Sequence, residues 1–163
     1  TYINLGNTYA DMDESGKAIV QYKKSIELNP DNALAYINLG NTYADMGQLD
    51  KAKVQYEKSI ELDPGNVDAY LELGITYSEL KDYDEALEHY KKAMIIEADD
   101  KILPYLMACA YSLKGDIGSA LESFENALEN GFDDLEHLKT DSDIKVMRQS
   151  PEFDKLIQKY FNQ

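Results

Sequence analysis

The chain has 163 residues, 44% of them hydrophobic and 29% charged, enough for one compact domain or a short repeat array and too few for two ordinary domains. Its 31 acidic residues against 16 basic ones leave a formal charge of −15, which repels phosphate backbones and anionic bilayers and so excludes nucleic acid and membrane surfaces as partners. Cys109 is the sole cysteine and no Asn-x-Ser/Thr acceptor occurs, so internal disulfides and cysteine zinc cages are excluded and a reducing, cytoplasmic setting is expected.

Residue 1 is Thr, and no basic segment followed by an apolar one opens the chain, so a fragment of something longer is expected. From there a period of 34 residues governs the pattern. Thr1 to Asn32 aligns with Ala35 to Asn66 at about 23 of 32 identical positions. The shared frame is Tyr2, Leu5, Gly6, Tyr9, Ala18, Tyr22, Ser25 and Pro30, and it returns as Tyr36, Leu39, Gly40, Tyr43, Ala52, Tyr56, Ser59 and Pro64. A third copy carries Tyr70, Leu73, Gly74, Tyr77, Ala86, Tyr90 and Ala93, with Ala98 in place of the proline. A weaker fourth keeps Met107, Ala108, Tyr111, Ala120, Phe124 and Ala127.

Within each period, apolar residues three and four apart mark two amphipathic helices. Gly47, Gly115 and, in the first copy, Asp13 stand where a positive φ is needed between the helices. Asn29-Pro30 and Asp63-Pro64 stop the second helices, because proline cannot donate the next backbone bond. The nearly apolar run Ile102 to Leu113 is about twelve residues long, too short to span a bilayer, and is expected as a buried helix.

This pattern resembles the tetratricopeptide repeat family over residues 1 to about 132, with Tyr for the family's usual Trp at the first signature position and Pro104 there in the fourth copy. The resemblance implies an all-α, right-handed α-solenoid of four helix-turn-helix repeats (1–32, 33–66, 67–100, 101–132) and a partner-binding role. Gly6, Gly40, Gly74 and Ala108 are expected to admit the second helix of each repeat closely, against Ala18, Ala52, Ala86 and Ala120.

The period ends after Gly131. Asp133-Asp134-Leu135, Asp141-Ser142-Asp143 and Ser150-Pro151-Glu152-Phe153 are helix-start signals, the last predicting a helix to about Tyr160. Because a repeat stack exposes the apolar face of its last unit, residues 133–163 are expected to form a helical cap.

Catalysis has no support. His89 and His137 lack any partner spacing for a metal or nucleophile, and no glycine is left over for a phosphate-cradling loop. Asp141, Asp143 and Glu152 fit positions 1, 3 and 12 of a calcium loop, but Val146 replaces the required glycine and Lys145 an oxygen ligand. No cofactor and no metal are expected.

The resemblance places recognition on the concave groove lined by the first helix of each repeat. Helical periodicity then directs Ile3, Asn4, Asn7 and Asp11 to it from the first repeat, and Leu34, Ile37, Asn38, Asn41 and Asp45 from the second. Asp68, Leu71, Glu72, Ile75 and Glu79 follow, then Ile102, Tyr105, Leu106, Cys109 and Leu113. Relatives that bind chaperone C-termini use a clamp of Lys, Asn and Arg; Asn7 and Asn38 match its asparagines, but Ile3, Asp68 and Glu72 replace the cations, which disfavours a terminal carboxylate. Asn4, Asn7, Asn38 and Asn41 can instead donate to and accept from a peptide backbone. Asp45, Asp68 and Glu72 favour basic residues in the ligand, and Ile75, Tyr105 and Leu106 an apolar anchor. The expected partner is therefore a protein or peptide with basic and hydrophobic residues. Against this, copying alone accounts for the recurrence of Asn4 as Asn38, acidic faces commonly just keep a surface soluble, and closing helices over Tyr105, Leu106 and Leu113 are the alternative to an open apolar patch. Homo-oligomerisation through terminal repeats is the second expectation, and an accessory interaction domain of a larger protein the third.

Overall fold

The computed structural model describes residues 1–161, all helices and turns. Ten α-helices run in order: α1 (Tyr2–Asp11), α2 (Ser15–Leu28), α3 (Ala33–Asp45), α4 (Leu49–Leu62), α5 (Val67–Glu79), α6 (Tyr83–Ile96), α7 (Ile102–Lys114), α8 (Ile117–Glu129), α9 (Leu135–Thr140) and α10 (Pro151–Phe161). A 3₁₀ turn at Met147–Gln149 lies before the last. This is the all-α, paired-helix fold class expected from the period. The chain divides into two compact units, Thr1–Leu80 and Lys81–Gln163.

In the first unit, α1 pairs with α2 and α3 with α4, and each second helix also packs on the next first helix, α2 on α3 and α4 on α5. The close approach has a direct cause. A Cβ on Gly6 would lie 2.5 Å from the Tyr22 ring, and one on Gly40 would lie 2.5 Å from the Tyr56 ring, so no side chain fits between helix and tyrosine. Ala18 and Ala52 are fully buried beside them. The connecting turns hold Asp13 at φ 57° and Gly47 at φ 68°, as the turn pattern predicts; Lys81, at φ 66°, takes the same left-handed conformation in the third copy. α2 and α4 stop at the residues before Asn29-Pro30 and Asp63-Pro64.

In the second unit, α7 is buried through Leu103, Pro104, Tyr105, Ala108, Cys109 and Ala110 and packs against α6 and α8. Asp116 and Asp134 cap α8 and α9 by accepting from the amides of Ser119 at 3.1 Å and His137 at 2.9 Å. Ser150 accepts from the Phe153 amide at 3.2 Å, with Pro151 at the first position of α10. Phe153 then stacks on Phe124 of α8, centroids 5.2 Å apart, and Leu156, Ile157 and Tyr160 join the same core. One start signal is not followed by an α-helix. Asp141 spends one carboxylate oxygen on the Asp143 amide at 2.8 Å, making a turn that leads into the 3₁₀ segment, while its other oxygen points inward.

Candidate functional site

The first helices α1, α3 and α5 lie next to one another on one side of the first unit. Asn7 of α1 sits against α2 and α3. Its Oδ1 accepts from the Tyr22 hydroxyl at 2.8 Å and from Asn38 Nδ2 at 3.0 Å, so the two asparagines placed by helical spacing on neighbouring helices do meet. One repeat on, Asn41 Oδ1 accepts from the Tyr56 hydroxyl at 2.8 Å. The recurrence of Asn7 as Asn41 therefore has a packing cause. The glycine before each one admits a tyrosine ring, and the buried phenol needs an acceptor. Burial also raises the Tyr56 hydroxyl well above its ordinary 10, with the charges of Glu72, Asp45 and Glu79 adding to it, so this phenol stays a donor. What these bonds spend is amide oxygen: Asn7 and Asn41 keep their N–H donors, and Asn38 keeps its Oδ1. Asn4 is exposed on α1.

Beside the amides stand four carboxylates. Asp45, Asp68 and Glu79 are at least partly exposed, and Glu72 is half-buried. Desolvation holds the Glu72 carboxyl above its ordinary 4.5, and repulsion from Asp68, Asp45 and Glu79 pushes it further in the same direction. Among the described residues no lysine, arginine or histidine forms an ion pair with any of the four. Ile75 lies in the same helix. Ile37, assigned by periodicity to the open face, is only 4% exposed and belongs to the core.

The second unit departs further from the expected groove. Tyr105 is 4% exposed, so it is not an open anchor for a ligand. Its ring stacks on Phe132, centroids 4.4 Å apart, with the His137 ring edge-on at 5.6 Å, and its hydroxyl donates to the Asp141 carboxylate. Cys109, also assigned to the groove, is buried with its thiol 3.8 Å from that same oxygen. Burial raises both the Tyr105 phenol and the Cys109 thiol far above their ordinary values, and the Asp141 charge acts in the same direction on each. A thiol so placed is inert, and the proximity of Cys109, Asp141 and His137 does not make a nucleophilic constellation. Sequence reading misses Asp141 because its Asp-Ser-Asp setting reads as a helix cap; the surplus tyrosine in an apolar helix is the available signal that a buried hydroxyl needs an acceptor.

An open cleft of about 430 Å³ remains beside this cluster, lined by Lys101, Ile102, Leu106 and the edge of Tyr105 together with Phe132 and His137. Leu106 is half-buried there. Lys101 reaches across to the Gly131 carbonyl at 3.3 Å and the Asp133 carboxylate at 3.4 Å. No group of three or more His, Cys, Asp or Glu side chains among the described residues is arranged to hold a metal ion. No helix among them is long and apolar enough to cross a membrane.

Paired antiparallel helices on a 34-residue period, with open polar first-helix faces and no reactive constellation among the described residues, define a helical-repeat interaction protein. Family models agree: "TPR repeat" matches residues 6–47, and two "Tetratricopeptide repeat" models match 31–96 and 105–130. The crystal structure of MamA is 30% identical, covering 79% of this chain and 75% of its own, with a TM-score of 0.76. The chain belongs to the tetratricopeptide repeat family. YrrB, described as a TPR protein with an unusual peptide-binding site, is 22% identical over 99% of this chain and 84% of its own, TM-score 0.75. The first TPR of Spaghetti (RPAP3), bound to the HSP90 peptide SRMEEVD, is 18% identical over 70% and 90%, TM-score 0.68. Among curated protein sequences none matches.

Proposed function

We propose that the chain is a non-catalytic scaffold that binds an extended, lysine- or arginine-bearing peptide on the first-helix face of its first unit. The observation that carries this reading is the pairing of preset amides with uncompensated charge: Asn7, Asn38 and Asn41 are oriented by internal hydrogen bonds, next to a half-buried Glu72 flanked by Asp45 and Asp68. The Nδ2 groups of Asn7 and Asn41 and the Oδ1 of Asn38 supply donors and an acceptor to a peptide backbone without a new ordering cost. Asp68 and Glu72 gain a cation, and with Ile75 beside them the ligand carries an apolar residue close to its basic one. Asn4 and Asp45 extend the same surface at its edges. In the second unit, the cleft at Leu106 and Ile102 is a separate apolar surface, with Tyr105 contributing only its edge.

The likeness to YrrB and to the Spaghetti domain shows the fold; that those proteins hold peptides supports a peptide ligand here. The ligand is of opposite sign to SRMEEVD, since Asp68 and Glu72 repel an acidic tail. The buried free thiol of Cys109 and the excess negative charge support a cytoplasmic setting.

The test is calorimetric titration of a lysine-rich, leucine-bearing decapeptide into wild type, Asn38→Ala and an Asp68→Lys, Glu72→Lys double variant. Asn38 is chosen over Asn41 because losing Asn41 also strips Tyr56 of its acceptor. The amide variant is expected to bind several-fold more weakly, and the charge-reversed one not measurably. Equal affinities for all three would remove this face from the account. Binding should also weaken as salt rises from low to physiological concentration.

A further inference from the structure

Helix α3 has a second side, turned away from the amides. Tyr36, Leu39 and Tyr43 are displaced by two positions from Asn38, Asn41 and Asp45, which is about 200° around a helix. On that side α2 and α4 both pack on α3, and an open cleft of about 410 Å³ is lined by Ile26 of α2, Leu39 and Tyr43 of α3 and Val54 of α4. Leu39 and Tyr43 are almost covered, whereas Val54 is 57% exposed. No residue of the peptide face proposed above lines this cleft.

Two ammonium groups converge on it. Lys23 Nζ lies 6.0 Å and Lys51 Nζ 5.4 Å from the centroid of the Tyr43 ring, and both side chains belong to the lining. Lys17, Lys24 and Lys58, on the same two helices, are each paired with a glutamate three residues away. Among the described residues neither Lys23 nor Lys51 forms an ion pair. In a chain with 31 acidic residues against 16 basic ones, two cations at one ring are thus left without a carboxylate. The repeat architecture does not impose this. At the matching place in the fourth repeat, a cleft of about 220 Å³ at Tyr111 has Ser119 and Glu122 where Lys51 and Val54 stand, with Lys91 5.8 Å from the ring. There the same helix arrangement gives a smaller and more polar cleft.

We infer that the cleft over Leu39 and Tyr43 is a second docking site, for a segment of a partner protein in which a glutamate or aspartate stands beside a leucine-sized aliphatic residue. The carboxylate pairs with Lys23 and Lys51, and the aliphatic side chain lies against Ile26 and Val54. Charge complementarity selects this occupant. A carboxylate gains two cations that the chain leaves unpaired, on apolar ground that excludes water, and a basic segment meets two like charges. Asp50, also in the lining, is the one opposing charge there and limits the affinity. The inference goes beyond the basic-peptide reading: the ligand has the opposite sign and lies on the other side of α3, so the two ligands do not compete for space.

The test is fluorescence anisotropy of a labelled octapeptide carrying Glu-Leu-Glu-Leu, titrated with the full chain. A Lys23→Gln, Lys51→Gln double variant is expected to bind at least about tenfold more weakly, Val54→Glu comparably so, and Asp50→Asn several-fold more tightly. Lys53→Gln, which removes the lysine over Tyr77 without touching the cleft, should leave the affinity within about twofold. Lys23, Asp50, Lys51 and Val54 are exposed, so the urea midpoints of these variants should match wild type. Asn38→Ala should leave octapeptide binding intact, and the double lysine variant should still bind the basic decapeptide; each reading therefore fails separately. Equal octapeptide affinity in wild type and the double lysine variant, an equal loss in Lys53→Gln, or no binding at millimolar peptide would overturn the inference. A wild-type dimer, seen by light scattering and abolished in the double lysine variant, would assign the cleft to a second copy and overturn it as well.

Discussion

The first-helix faces of the first unit and of α7 occupy the same position in the repeat and have opposite fates. Where the first unit carries Asn7, Asn38 and Asn41, α7 carries Leu106 and Cys109; where α3 buries Ile37, α7 buries Tyr105. The polar face stays open with the amide oxygens of Asn7 and Asn41 engaged by Asn38 and by tyrosine hydroxyls. The apolar face is largely covered by the segment that follows α8, with Phe132, His137 and Asp141 closing over Tyr105. An apolar surface that its own chain covers serves folding, and in the proposed reading recognition falls to the surface that folding does not need.

The largest expected effect tests the covered side. Phe153→Ala removes a ring stacked on Phe124 in a buried core, and truncations of this kind cost about 3–5 kcal/mol. Urea unfolding should show this loss in the second unit, while binding of the basic peptide at the first unit persists. Loss of peptide binding at a denaturant concentration where the first unit remains folded would contradict the separation of roles.

On the open side, the tyrosine–glycine contact comes next. Gly40→Ala forces a methyl to within 2.5 Å of the Tyr56 ring, and overpacking of this sort costs about 1–3 kcal/mol. Gly16, also helical, has nothing within 4 Å of the place a methyl would take, and Gly16→Ala should gain up to about 0.5 kcal/mol. Equal thermal shifts for the two would mean that the glycines are not steric necessities. Asn41→Ala is the subtler change: it leaves the Tyr56 hydroxyl without its acceptor and should cost about 1–2 kcal/mol, whereas Asn4→Ala on the exposed face should stay within about 0.5 kcal/mol.

Fold class, helix pairing, turn glycines and the Ser150-Pro151 start are legible in the sequence because each rests on local chemistry, most of it repeated at a fixed period. The closing segment is legible as helical and not in its contacts. Asp141 lies 36 residues from Tyr105, and nothing in either local setting announces their hydrogen bond. For the same reason Tyr105 and Cys109 read as groove residues: helical periodicity tells which side of α7 they occupy and offers closing helices as one cover, but does not tell which residues of the later segment make the contacts. Asn7 and Asn38 are legible as neighbours because they sit at related positions one repeat apart; the tyrosine hydroxyls that orient the amides require knowing how closely the second helix approaches.

The smallest effect is also the sharpest probe of the acidic face, through pH. Unfolded, Glu72 titrates near its ordinary 4.5; folded, it titrates higher, by burial first and by its acidic neighbours second. Between those values the folded state holds more proton than the unfolded one, so its contribution to stability is present below 4.5 and is lost as pH rises through the folded value. Glu72→Gln should therefore flatten the decline of stability over that window and leave the curve below it unchanged; a decline of the same slope in the variant would assign it to other carboxylates. A bound lysine reverses the balance by favouring the ionised form. Within the same window peptide binding should release protons, and the measured heat should change with the ionisation enthalpy of the buffer. In Glu72→Gln that buffer dependence should shrink, which ties the charge on this face to the ligand directly, independent of any loss of affinity.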